Sequence, residues 1–275
     1  MAESGLGEGG PMDKKSLDVE TIVVGASYAA LVAISVLLEL LRFNGVTAVE
    51  VMGEVFVWLA PAGYVFGVWV IVYLALAVWA VRLVRDGHHA RHLGAMPVGV
   101  EAALFAVSCL LGIVWLVLWH LRVFAVSALV IIVCAIIAVM LYVITRKRSN
   151  ARWDWMPLSL YASWLAMVAL VNVAHALTRS VTADMGLVPA ISTFAVLIVL
   201  VLASFLARRL FDDVVLGLVV VWTGIGVGVH AMEASSLAGV ALIVISVLGV
   251  GLALVPWERV NVRRRSPFKE HGRHR

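Results

Sequence analysis

Pro61-Ala-Gly-Tyr-Val-Phe-Gly-Val-Trp69-Val-Ile-Val-Tyr73 opens an apolar run that meets no charged side chain until Arg82. A run of about 20 residues is what a helix needs to cross ~30 Å of hydrocarbon. Proline fits the first turn of such a helix, where its missing N–H costs nothing. The run lacks the period-2 alternation of a barrel strand. In lipid the backbone must satisfy its own hydrogen bonds within the segment. The stretch therefore reads as a transmembrane helix, with an aromatic and glycine-bearing entrance.

Seven further stretches read the same way. The expected spans are residues 21–43, 63–84, 98–120, 122–145, 157–177, 189–208, 211–231 and 236–256. Composition agrees: 63% of residues are hydrophobic and 14% charged, with a mean hydropathy of +1.04. A soluble domain carries roughly 25% charged residues. The expected fold is all-α, a polytopic membrane bundle of about eight helices. Residues 1–20 read as a disordered tail and residues 258–275 as a basic tail.

Charge sets the expected orientation. With eight spans and the N-terminus inside, only Arg42, Arg122 and Arg179 of the 21 Lys and Arg fall outside. Positive charge marks the cytoplasmic face, so both termini are expected in the cytoplasm of a bacterial or archaeal cell, with the chain integral to its plasma membrane. The net charge of +4 comes from loops and tails. It argues for lipid as a partner and against nucleic acid. Cys109 and Cys134 lie mid-span and form neither a disulfide framework nor a metal motif.

Residues 44–60 are too short to span. Glu50 and Glu54 lie one turn apart, with Trp58 following, and the segment reads as a lid on the outer face. Glu39 and Arg42, at i and i+3 near the outer end of the first span, are expected to pair or to snorkel to the interface. Trp58, Tyr64, Trp153 and Trp155 fit interfacial positions, where an amphipathic ring is half wet.

Three motifs occur in order on alternate spans. The first is the opening stretch, with Val-Phe-x-x-Trp69 and then Tyr73. The second is Trp115-Leu-Val-Leu-Trp119-His120. The third is Pro157-Leu-Ser-Leu-Tyr161-Ala-Ser-Trp164, with Asn172 eight residues on. Together they resemble the second, third and fifth helices of the translocator-protein family, whose bacterial members are the tryptophan-rich sensory proteins (TspO/MBR). The resemblance covers residues 21–177, as a five-helix body. Residues 178–257 would be three additional helices of a long form. Gly112 stands where the family often has Asn, and the short-form loop motif is missing.

The resemblance implies a membrane sensor or regulator that binds a tetrapyrrole, or a sterol-like or aromatic ligand. No cofactor is required, while a porphyrin or haem is an expected ligand. The residues expected to contact it are Trp69, Tyr73, Trp115, Trp119, Tyr161, Trp164 and Asn172. Their physical chemistry is compatible: a buried indole N–H needs a partner, and an aromatic-lined cavity suits a flat apolar ligand. Asn172 within a span must pair across helices or hold something polar.

Other readings remain beside this one. The same cavity would serve a small-molecule transporter or facilitator. His120, His175 and His230 recur at the ends of odd-numbered spans, as axial haem ligands of an electron carrier would. Gly224-x-x-x-Gly228 allows close helix approach within the chain or in a homodimer. The sequence holds no phosphate loop, HExxH or serine elbow, so no catalytic constellation is visible.

Overall fold

The computed structural model describes residues 11–86, 99–180 and 186–255, with side chains from Val19 onward. The expected basic tail and the first ten residues lie outside the described residues. The elements are α1 (Pro11–Leu40), α2 (Ala48–Met52), α3 (Val68–Asp86), α4 (Val100–His120), α5 (Phe124–Arg148), α6 (Arg152–Ser180), α7 (Leu187–Phe211), α8 (Val215–Ala231) and α9 (Ser236–Leu254). Seven of these are long and apolar enough to cross a membrane. The apolar α8 has 17 residues, the lower end of the spanning range. Together they account for the eight expected spans, and the fold is a polytopic helical bundle.

α1 starts earlier than expected, at Pro11, so the second half of the presumed tail is helical. Proline at the first helical position is preorganised for a helix, and the residues that follow carry no breaker. The opening stretch also begins differently. Residues Gly63–Gly67 form one 3₁₀ turn before α3 proper.

Five helices close a ring. α1 packs on α4, α4 on α5, α5 on α6, α6 on α3, and α3 returns to α1. The α4–α5 turn is tight and places Arg122 in the left-handed region, at φ 61°. The α7–α8 turn does the same with Asp212, at φ 53°; a short polar side chain tolerates that conformation better than most. Outside the ring, α8 packs against α6, and α7 and α9 pack against α8 and each other.

Glycines set the closest approaches. A Cβ on Gly224 would lie 2.0 Å from Ser246 Oγ, and one on Gly228 would lie 2.7 Å from the Gly239 carbonyl oxygen. The Gly224-x-x-x-Gly228 face is therefore used inside the chain, between α8 and α9. A Cβ on Gly226 would lie 2.1 Å from Val65 Cγ2. The Gly226 carbonyl also accepts the Ala62 N–H at 2.9 Å. The stretch that leads into α3 thus rests directly on α8.

One end of the bundle, away from residues 44–60, is tied by buried acids. Asp213 accepts hydrogen bonds from Tyr142 (2.7 Å), Ser159 (2.6 Å) and the Val215 N–H (2.8 Å). Glu101 accepts from Thr145 (3.0 Å) and Arg148 (2.9 Å). Such acids stay buried because partners satisfy them. Tyr64 and Trp153 are exposed, as expected at an interface, whereas Trp58 and Trp155 are buried. Trp58 packs with the α7–α9 core through Leu197, Val220 and Val227, where burying a large ring gains more than half-exposing it.

Candidate ligand cavity

A cavity of about 390 Å³ lies inside the ring at the end bearing residues 44–60. α1, α2, α3, α4 and α6 all contribute walls, with Thr223 of α8 and Pro61 completing them. Trp164, Met167 and Asn172 are buried, while Val36, Leu40 and Val49 are exposed. The mouth therefore lies along the end of α1 beside α2.

Six of the seven expected contact residues line this space: Trp69, Tyr73, Trp115, Trp119, Trp164 and Asn172. Tyr161 does not. It is buried behind the wall, with its hydroxyl 3.9 Å from Cys134 Sγ. Tyr161 shares a helix face with Trp164 at i, i+3, and that spacing alone could not tell which of the two reaches the lumen.

The aromatic wall is built around Trp69. Its ring stacks on Tyr73 at 5.4 Å, lies 6.0 Å from Trp115 and meets Trp164 edge-on at 5.7 Å. These separations fall in the favourable range for aromatic pairs, worth about 0.5–1.5 kcal/mol each beyond burial. The i, i+4 spacing of Trp69 and Tyr73 puts both on one helix face.

Asn172 answers the polar demand of the wall. Its Oδ1 accepts Trp115 Nε1–H at 3.0 Å and the Ser127 hydroxyl at 3.2 Å. Its Nδ2 donates back to the Val168 carbonyl at 2.9 Å. One side chain thus ties α4, α5 and α6 while also facing the lumen. Trp119 Nε1–H donates to the Ala48 carbonyl at 3.0 Å, joining α4 to α2. Trp164 Nε1–H is buried without a hydrogen-bond partner in the protein.

Residues 44–60 cover the cavity through Ala48, Val49 and Met52 of α2. Thr47 and Glu50 form a capping box that starts this short helix. Glu50 also pairs with Arg42 at 2.7 Å. Glu54 pairs with Arg122 at 2.6 Å and with Arg179. It therefore clips the segment to both the α4–α5 turn and the end of α6. The Arg122 hydrogen bond, then the nearby charge of Arg122 and Arg179, holds the Glu54 carboxyl below its ordinary value. The Thr47 N–H and Arg42 do the same for exposed Glu50. Trp58 lies beyond the covering turn and does not line the cavity.

Arg42 pairs with Glu50, not with Glu39 as its i, i+3 position suggested. Glu39 instead lines the cavity and accepts the Ala48 N–H at 3.1 Å. Sequence reasoning missed it as a wall residue. The signal was a carboxylate near the end of an apolar span, which is costly unless it has a task.

The three histidines are held separately. His120 Nδ1 lies 2.8 Å from the Leu116 carbonyl, and its Nε2 is 3.7 Å from Glu39. His175 packs between Trp119 and Phe124. His230 stacks on Phe56 at 4.8 Å and faces Glu233. Among the described residues, no three or more His, Cys, Asp or Glu side chains come together.

A helical bundle with seven long apolar helices has the architecture of a polytopic integral membrane protein. Its sequence matches the profile of the TSPO-like protein family over residues 21–254. The chain belongs to that family. The match takes in the last three helices as well as the five-helix ring. Comparison with curated proteins and with solved structures returned no match.

Proposed function

We propose that the protein is a ligand-binding membrane sensor or regulator whose cavity takes a flat, largely apolar molecule such as a tetrapyrrole. The observation that carries this reading is the convergence of Trp69, Tyr73, Trp115 and Trp164 on one lumen of about 390 Å³. That volume lies within the ~300–1,000 Å³ of small-molecule sites. The few polar side chains, among them Asn172, Glu39 and the indole N–H of Trp164, supply orientation while the rings supply contact area. Among the described residues, Arg82, Arg85, Arg146, Lys147, Arg148, Arg152, Arg208 and Arg209 lie at the helix ends away from the cavity, against Arg42, Arg122 and Arg179 beside it, so the positive-inside rule favours a mouth that faces outward. Its position beside the exposed end of α1 suits a ligand that arrives from the outer leaflet.

Titration of the purified protein with a porphyrin, read as tryptophan quenching, tests this. Saturable quenching is expected, weakened roughly tenfold or more by Trp164→Phe or Trp115→Phe, about 1.4 kcal/mol. Quenching that is linear in porphyrin, or saturable and unchanged in both variants, overturns it.

A further inference from the structure

The cavity has a chemical asymmetry that the aromatic reading leaves unused. Among the residues that line it, Glu39 alone carries a formal charge. No Lys or Arg among the described residues pairs with it, because Arg42 turns away to Glu50. Its polar partners are the Ala48 N–H at 3.1 and 3.4 Å and His120 Nε2 at 3.7 Å. The Glu39 side chain is 39% exposed. It stands at the mouth, next in sequence to the exposed Leu40, whereas Trp164 and Met167 form the buried floor. A carboxylate has about four lone-pair sites, and one backbone N–H leaves capacity for a ligand. At the other end of the lumen, Trp164 is 1% exposed and its Nε1–H is without a protein acceptor.

We infer that the preferred ligand is a cationic amphiphile: a flat apolar body that enters the aromatic cavity, bearing a positively charged nitrogen that rests against Glu39. This rests on the cavity reading above and names the ligand class for it. Two physical effects favour the cation. An ion pair near a low-dielectric wall is screened less than one in bulk water. Aromatic faces also attract ammonium groups, more strongly where the site is desolvated. An amphiphile from the outer leaflet would already have its charged end near the membrane surface and its rings in the hydrocarbon. The geometry asks for the same orientation.

The test compares two pyrene probes in detergent micelles. One carries a 2-(trimethylammonio)ethyl arm, and the other the uncharged 3,3-dimethylbutyl arm of the same shape. Binding is read as energy transfer from tryptophan to pyrene, in wild type and in Glu39→Gln. Glutamine keeps an oxygen for the Ala48 N–H, so the cover stays capped. The inference predicts that Glu39→Gln weakens the ammonium probe about 3- to 30-fold and changes the neutral probe less than twofold. Comparing each probe with itself removes its partition into the micelle. Equal weakening of both probes would mean that Glu39 only holds α2, and would overturn the inference while leaving the cavity reading intact. No weakening of either probe would overturn it in the same way. If neither probe shows saturable transfer in wild type, the cavity reading itself falls.

Discussion

Asn172 is the residue on which the wall of the cavity depends, and the dependence can be measured. Asn172→Leu keeps the branched heavy-atom shape and removes the acceptor for Trp115 Nε1–H and the Ser127 hydroxyl, now 3.0 and 3.2 Å away. Leaving a buried donor unsatisfied costs about 1–3 kcal/mol. In membranes the measured coupling across helices is smaller, about 0.6 kcal/mol on average and up to about 1.7. With two such bonds lost, the single variant should lose about 1–3 kcal/mol of stability. Trp115→Phe removes the donor from the other side. A double-mutant cycle between the two isolates the shared bond. Unfolding in mixed micelles titrated with sodium dodecyl sulfate, followed by helical circular dichroism, gives all four stabilities. A coupling of about 0.6–1.7 kcal/mol is expected. Additive losses, within about 0.3 kcal/mol, would refute the claim that Asn172 and Trp115 form one unit.

Two further predictions concern the cover and its support. Glu54→Gln loses most of the attraction to Arg122 and Arg179; at about 0.2–1 kcal/mol for each of the two partly exposed pairs, bound porphyrin should leave roughly 2- to 30-fold faster in stopped flow. The Glu54 carboxyl is held below its ordinary value, so its contribution is full above the unfolded pKa of about 4.3. It is lost only as pH falls through the lowered folded value. Wild-type release should therefore quicken in acid below about pH 4, and this step should be missing in Glu54→Gln. Gly226→Ala would drive a methyl into Val65 Cγ2 and Pro61, at 2.1 and 3.2 Å. Overpacking of this kind costs about 1–3 kcal/mol. The melting temperature should fall and the Trp69 environment should shift in near-ultraviolet circular dichroism. An unchanged spectrum would show that α8 does not support the approach to α3.

The helices were legible because hydrocarbon leaves the chain few choices: each apolar block had to close its own hydrogen bonds. The charge asymmetry fixed which helix ends share a side, and the structure puts Arg42, Arg122 and Arg179 together with the cover. Periodicity within one helix was less informative about the site. It placed Tyr161 and Trp164 on one face, but only packing against α5 decided that Tyr161 sits behind the wall, near Cys134. Glu39 was visible and misassigned, because the i, i+3 rule favours Arg42 while the chain turn after α1 carries Arg42 toward Glu50. That turn places Arg42, Asn44 and Gly45 at positive φ; Asn44-Gly45 announces a turn, but not that Arg42 takes the left-handed conformation. The α8 contribution, through Gly226 and Thr223, came from a helix that the motifs did not reach.

The central claim is that one flat ligand occupies the lumen that Trp69, Trp115 and Trp164 line. Filling that lumen tests it most directly. Val168 lines the cavity and is 4% exposed, and Val168→Trp would put an indole where the ligand lies. Porphyrin titration of this variant, beside a melting curve showing it folded, should give affinity at least tenfold weaker than wild type. Unchanged affinity in the folded variant would contradict the account.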